Sequence, residues 1–125
     1  MNLVKNKIVQ KVFCTLSVEA THNWPSCNIE EVDYLRNVHR HVFGVKAVAI
    51  VNHNDRDIEF IELKHKIQDY LKAKYYNHTK RIHVFGHQSC EMIGKELMEQ
   101  FDLVEVVVDE DGENGSILTR EEVSF

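Results

Sequence analysis

Long apolar runs are missing from this chain. None approaches the roughly 20 residues that a helix needs to cross a bilayer, so a helical membrane span is excluded. The first seven residues, Met1-Asn2-Leu3-Val4-Lys5-Asn6-Lys7, hold no apolar stretch of the kind a secretory leader carries. Cysteine is scarce: Cys14, Cys27 and Cys90 form no C-x-x-C pair, and an odd count argues against a disulfide framework and for a reducing cytoplasm. Positive charge is in deficit, with 15 Lys and Arg against 20 Asp and Glu and a net charge of −5. That balance argues against a general nucleic-acid or anionic-membrane surface, leaving room only for a local basic pocket. Repeats, linkers and low-complexity tracts are absent.

What remains is 125 residues, 43% of them apolar, which reads as one globular domain over residues 1–125 with enough chain to build a core. Eight histidines stand out for this length. Neutral imidazole is both a common metal ligand and the usual acid–base group near pH 7, so these are the residues to explain.

Two long strands are predicted from period-two alternation. Ile8, Val12, Cys14, Leu16, Val18 and Ala20 share one phase of the first, and two further residues would bring His22 onto that apolar side. Residues 23–38 break the pattern. Trp24-Pro25-Ser26 cannot continue a central strand because proline lacks the donor N–H, and the acidic stretch after it reads as a functional loop with a short helix around Ile29 to Leu35. The second strand carries His39, His41, Phe43, Val45, Ala47, Ala49 and Val51 in phase. If the two strands form an antiparallel hairpin, His22, His39 and His41 converge beneath the loop. A helix fits Ile58 to Tyr75 and a second follows Ser89 as N-cap, with residues 76–88 irregular between them. A C-terminal hairpin places Glu110 in the phase of Val104, Val106 and Val108, with the reversal at Asp111-Gly112-Glu113-Asn114-Gly115. The coarse order is ββααββ, an α+β chain.

Three imidazoles at one end of two neighbouring strands suit a zinc ion with an open coordination position. The plain alternative is a set of satisfied core histidines. Glu110 reads either as a solvated acid at a turn or as a carboxylate that accepts two hydrogen bonds from a guanidine-like ligand edge. Cys27 is either incidental or a thiol activated by a nearby cation to act as base or nucleophile. Glu91, in the first turn of the second helix, suits the helix dipole for structural reasons alone. Trp24 and Phe43 fit packing or a ligand slot equally well.

These residues, in this order, resemble the 6-pyruvoyltetrahydropterin synthase / 6-carboxytetrahydropterin synthase family. Val18-Glu19-Ala20-Thr21-His22, Cys27, His39-Arg40-His41, Ile58-Glu59-Phe60-Ile61-Glu62-Leu63-Lys64, Gln88-Ser89-Cys90-Glu91-Met92 and Val106-Val107-Val108-Asp109-Glu110 carry the likeness, which runs from about Val12 to Leu118. It implies a T-fold, a four-stranded antiparallel sheet with two helices on one face, assembled into homo-oligomeric rings with hexamers among the candidates. It implies zinc on His22, His39 and His41, a pterin held by Glu110 with Glu91 and Ser89 beside it, and proton transfer by Cys27 with a histidine. His78, in Asn77-His78, is the nearest match for that histidine, with His83 and His87 as the others. The implied substrate is 7,8-dihydroneopterin triphosphate, and the implied branch is the queuosine and deazapurine one, in which a two-carbon aldehyde leaves and 6-carboxytetrahydropterin remains. Four features depart from the pattern: Cys27 lies 12 residues before His39, further than in typical members; the Asp-His pair after the first helix has no clean match; Gln88-Ser89 stands for Pro-Thr; and Asp111 stands for the threonine after the pterin glutamate. A non-catalytic metal- and pterin- or purine-binding protein is the alternative.

Overall fold

A computed structural model describes residues 8–121. The N-terminal heptapeptide, read above as free of a leader, lies outside the described residues. The order is β1 (Gln10–His22), a 3₁₀ helix (Glu30–Arg36), β2 (His39–Val51), α1 (Phe60–Tyr75), β3 (Tyr76–Asn77), β4 (Ile82–Gly86), α2 (Cys90–Phe101), β5 (Glu105–Glu110) and β6 (Asn114–Thr119). The chain is α+β. Its single open sheet has six strands in the order β3-β4-β1-β2-β5-β6, two more than the coarse order suggested.

The hairpin of β1 and β2 is the spine of the sheet. Its antiparallel register runs unbroken from Gln10↔Val51 to His22↔His39. One face is apolar because both strands alternate in step: Cys14, Leu16 and Ala20 from β1 and Phe43, Val45, Ala47 and Ala49 from β2 are buried together. Leu63, Ile67 and Leu71 of α1 and Ile93 and Leu97 of α2 close over that face, one helical turn apart in each case. Each fully buried leucine or isoleucine contributes about 1.5–3 kcal/mol relative to exposure, so the helices are fixed to the sheet by their stripes. The opposite face stays open, with Phe13, Val42, Ile50 and Ile117 exposed.

Both helices start on side-chain caps. Glu59 accepts from the N–H groups of Ile61 and Glu62 at 3.0 Å, and Ser89, as expected, accepts from the N–H of Met92 at 3.2 Å.

The segment read as irregular is where the structure differs most. Residues 76–86 form a small hairpin whose second strand, β4, pairs parallel to the end of β1 through Ala20↔His83 and Thr21↔Val84. Parallel pairing of a five-residue strand with one 63 positions earlier leaves no local period to read. Its effect is specific: Phe85 enters the core, and the turn after Gly86 is delivered beside His22. Among the described residues no helix is long and apolar enough to cross a membrane.

Candidate metal centre

His22 closes β1 and His39 opens β2, and the two are direct partners in the register; His41 lies opposite Ala20 on the same face. The ring centroids are 4.6 Å apart for His22–His39, 5.0 Å for His39–His41 and 5.4 Å for His22–His41. One nitrogen from each falls within 4.8 Å of the others, close enough to share a metal ion.

The second nitrogen of each ring settles which atom is offered. His22 Nδ1 lies 2.9 Å from the Gln88 carbonyl, His39 Nδ1 2.7 Å from the Asn37 carbonyl and His41 Nδ1 2.7 Å from the Asp111 carboxylate. Carbonyls and carboxylates only accept, so each Nδ1 carries the proton and donates it. The lone pair is then on Nε2, and all three Nε2 atoms are buried without a hydrogen-bond partner. Three converging, desolvated lone pairs are costly unless a cation lies among them. Neutral imidazoles oriented through their Nδ1–H groups are the donor set of transition-metal sites, and the residues fit such an ion. Burial holds the His22 imidazolium below its ordinary pKa, against the opposing pull of the Gln88 carbonyl and Glu110, which favours the neutral ligand form.

Asp111 is the residue that sequence reasoning left in the turn. It takes a left-handed conformation, φ 58°, at the start of the β5–β6 reversal. There its N–H donates to the Val42 carbonyl at 2.8 Å, while one carboxylate oxygen accepts from the Val42 N–H at 2.8 Å and the other from His41. The Val42 N–H, then His41, holds this carboxyl below its usual range. The available signal was its position one residue past a strand that borders β2, beside a histidine-bearing end.

Glu110 pairs with Phe43 across β5 and β2. That register turns its side chain to the helix-covered face, next to the imidazoles. One carboxylate oxygen lies 3.0 Å from His22 Nε2 and the other 3.6 Å from His41 Nε2. Phe43 is fully buried below, edge-on to His22 at 5.0 Å and to His41 at 5.7 Å, so it is the floor of the centre and part of the core.

A cavity of about 490 Å³ opens beside the histidines. Trp24 and Leu35 of the loop form one wall, residues 87–92 at the start of α2 another, and Glu110 with Asn114 and Gly115 a third. Its size lies within the range of small-molecule sites. A side chain at Gly115 would put its Cβ 2.2 Å from the Val108 carbonyl oxygen, so glycine is needed for this hairpin to close.

The other expected residues divide. Glu91 and Ser89 line the cavity, Ser89 also capping α2. Cys27 does not: its thiol is buried, 3.6 Å from the Val32 carbonyl and 3.9 Å from that of Ile29. His78 sits in the β3–β4 turn, its ring 5.0 Å from Tyr76, while Asn77 Oδ1 accepts from the N–H groups of Thr79 and Lys80. His83 packs near Tyr76 and Phe85. Of the alternatives to His78, only His87 reaches the cavity wall. Cys90 also lines the cavity, and burial, then the nearby acids Glu110, Glu91 and Asp109, push its thiol up to about 12, which keeps it protonated.

A polar network links the helices to the centre. Glu96 of α2 accepts from Tyr70, Tyr75 and Lys74 of α1; Gln88 donates its amide to Tyr75 at 2.7 Å; the Gln88 carbonyl in turn holds His22. Neither Tyr75 nor Glu96 was singled out from the sequence, because each lies on a helix face where polar residues are ordinary. No protein-family model matches the chain, and no curated protein matches it.

Proposed function

We propose that this chain is a zinc-dependent protein of the 6-pyruvoyltetrahydropterin / 6-carboxytetrahydropterin synthase type, a lyase acting on 7,8-dihydroneopterin triphosphate. The observation that carries the reading is three buried, unpartnered Nε2 atoms at the edge of a 490 Å³ cavity. The T-fold assignment, a cytoplasmic setting and assembly into homo-oligomeric rings belong to the same proposal. The order of the long elements supports the fold, and the exposed apolar side chains of the helix-free sheet face support assembly.

In this reading His22, His39 and His41 hold zinc. Once bound, zinc supplies a Lewis acid at the cavity edge, suited to polarising the hydroxyls of a substrate side chain. Trp24 offers a flat wall for a pterin ring, and Glu110, Glu91 and Ser89 face the same space. Proton transfer within one chain falls to His87 or Glu91, which line the cavity, rather than to Cys27 or His78.

That last point favours a second reading, a metal- and pterin- or purine-binding protein without turnover. Incubating the zinc-loaded protein with 7,8-dihydroneopterin triphosphate separates the two. Release of a two-carbon aldehyde with 6-carboxytetrahydropterin supports the lyase, and Cys27→Ala should then retain turnover. Retained pterin binding without product moves the assignment to the binding protein.

A further inference from the structure

We propose that Glu110 is a fourth ligand of the ion held by His22, His39 and His41, an inference that rests on the metal centre of the proposed function and not on its pterin chemistry. Three observations converge on it.

The first is distance. Bonds of about 2.0–2.2 Å from zinc to nitrogen or oxygen, opened by angles between a right angle and the tetrahedral value, set neighbouring ligand atoms roughly 2.8–3.6 Å apart. The two Glu110 oxygens lie 3.0 Å from His22 Nε2 and 3.6 Å from His41 Nε2. Both lengths suit edges of a coordination polyhedron, while the donor atoms already within 4.8 Å of one another are those of the three histidines.

The second is direction. A carboxylate oxygen 3.0 Å from a ring nitrogen would form a hydrogen bond if it lay along the nitrogen's axis. His22 Nε2 and His41 Nε2 nevertheless have no hydrogen-bond partner. At His22 the oxygen therefore lies off the lone-pair axis, as an atom on an adjacent corner of one polyhedron does; at His41 the 3.6 Å separation is itself too long for a hydrogen bond. With each Nδ1 already donating, nitrogen and oxygen lone pairs share a space only 10% and 27% open to solvent at His22 and Glu110. Two sets of lone pairs at this separation repel without a positive charge between them.

The third is what Glu110 does not touch. Among the described residues its only ion-pair contacts are to these two histidines. Its strand phase, with Val106 and Val108 buried, aims it inward and not to solvent. Glu110 meets two of the three imidazoles but is not in the cluster of donor atoms within 4.8 Å of one another, so ligation requires its carboxylate to swing toward His39 as the ion binds. A pterin recognised by this carboxylate would have to draw it off the ion.

The test is zinc affinity by competition with a chromophoric chelator, together with the visible spectrum of the cobalt(II)-substituted protein, for the wild type and E110Q. A zinc-soaked crystal of the wild type adds a readout that does not depend on how the variant folds. A lost ligand should cost at least the roughly 100-fold that marks the upper end for an outer-shell partner. The cobalt bands should change, and a Glu110 oxygen should lie about 2.0–2.2 Å from zinc. Wild-type affinity with unchanged cobalt bands in E110Q, or a carboxylate beyond about 3 Å from zinc in the crystal, overturns the assignment while leaving the histidine site intact. A wild type that takes up neither metal overturns the metal centre itself.

Discussion

Phe43 joins the core to the metal centre, and replacing it should injure both. The ring is fully buried and edge-on to His22, His41 and Phe85 at 5.0, 5.7 and 5.0 Å. Truncating a buried phenylalanine to alanine costs about 3–5 kcal/mol, and each edge-to-face contact adds about 0.5–1.5 kcal/mol beyond buried area. Three such contacts put Phe43→Ala near the top of the range, about 4–5 kcal/mol. A domain of this size has roughly 5–15 kcal/mol in total, so the metal-free variant should be marginal. Phe43→Leu, which keeps most of the volume, should cost only about 1–2 kcal/mol. Urea unfolding of the metal-free proteins measures the loss as a shift in midpoint at constant slope. The comparison that isolates the site is Ile67→Ala, a cavity of similar cost in α1 away from the histidines. Ile67→Ala should leave the folded protein's zinc affinity unchanged, whereas Phe43→Ala, by freeing two imidazoles to change rotamer, should weaken it. A Phe43→Ala loss under about 2 kcal/mol, or equal zinc affinities for the two cavity variants, refutes the reasoning.

Two further outcomes follow from the groups around the centre. Asp111→Ala removes the acceptor that fixes the His41 tautomer and should weaken zinc binding by about 10–100-fold with the fold retained, measured by chelator competition; unchanged affinity would show that His41 is oriented by something else. At Glu96, burial pushes the carboxyl up, but the hydrogen bonds from Tyr75, Lys74 and Tyr70 outweigh it and hold it below its ordinary value of 4.5. A depressed folded-state pKa gives stability that is full above the unfolded value and lost as pH falls through the folded one. Glu96→Gln should therefore lower the thermal midpoint near neutral pH, with the gap to wild type closing below about pH 4. Parallel curves from pH 7 to pH 3 would contradict that sign.

The centre was legible where it rests on the pleat. Side chains alternate, so His39 and His41 had to share a face with Phe43 and Val45, and a β1–β2 hairpin then had to carry His22 to them. The observed register, His22 directly opposite His39, is that geometry. The stripes of both helices and the cap of α2 were legible for the same reason: Ser89 and the spacing of Ile93 and Leu97 are local signals, whereas the Glu59 cap of α1 lay inside the span expected to be helical. What could not be read is non-local. β4 depends on parallel pairing with a distant strand, and with it the Gln88 carbonyl that orients His22. Asp111 reads as one acid among several in a turn, and only its left-handed backbone turns it back to Val42 and His41. Cys27 shows the converse limit: its place in the loop sequence suggested the cavity, but the 3₁₀ segment folds the thiol onto the Val32 carbonyl.

The claim on which the rest stands is that His22, His39 and His41 share one ion. Zinc content after reconstitution and gel filtration tests it directly, for the wild type and for His39→Ala. The wild type should retain close to one equivalent per chain and His39→Ala under about 0.1. A wild type that emerges without zinc, or a His39→Ala protein that retains a full equivalent, would contradict a shared site.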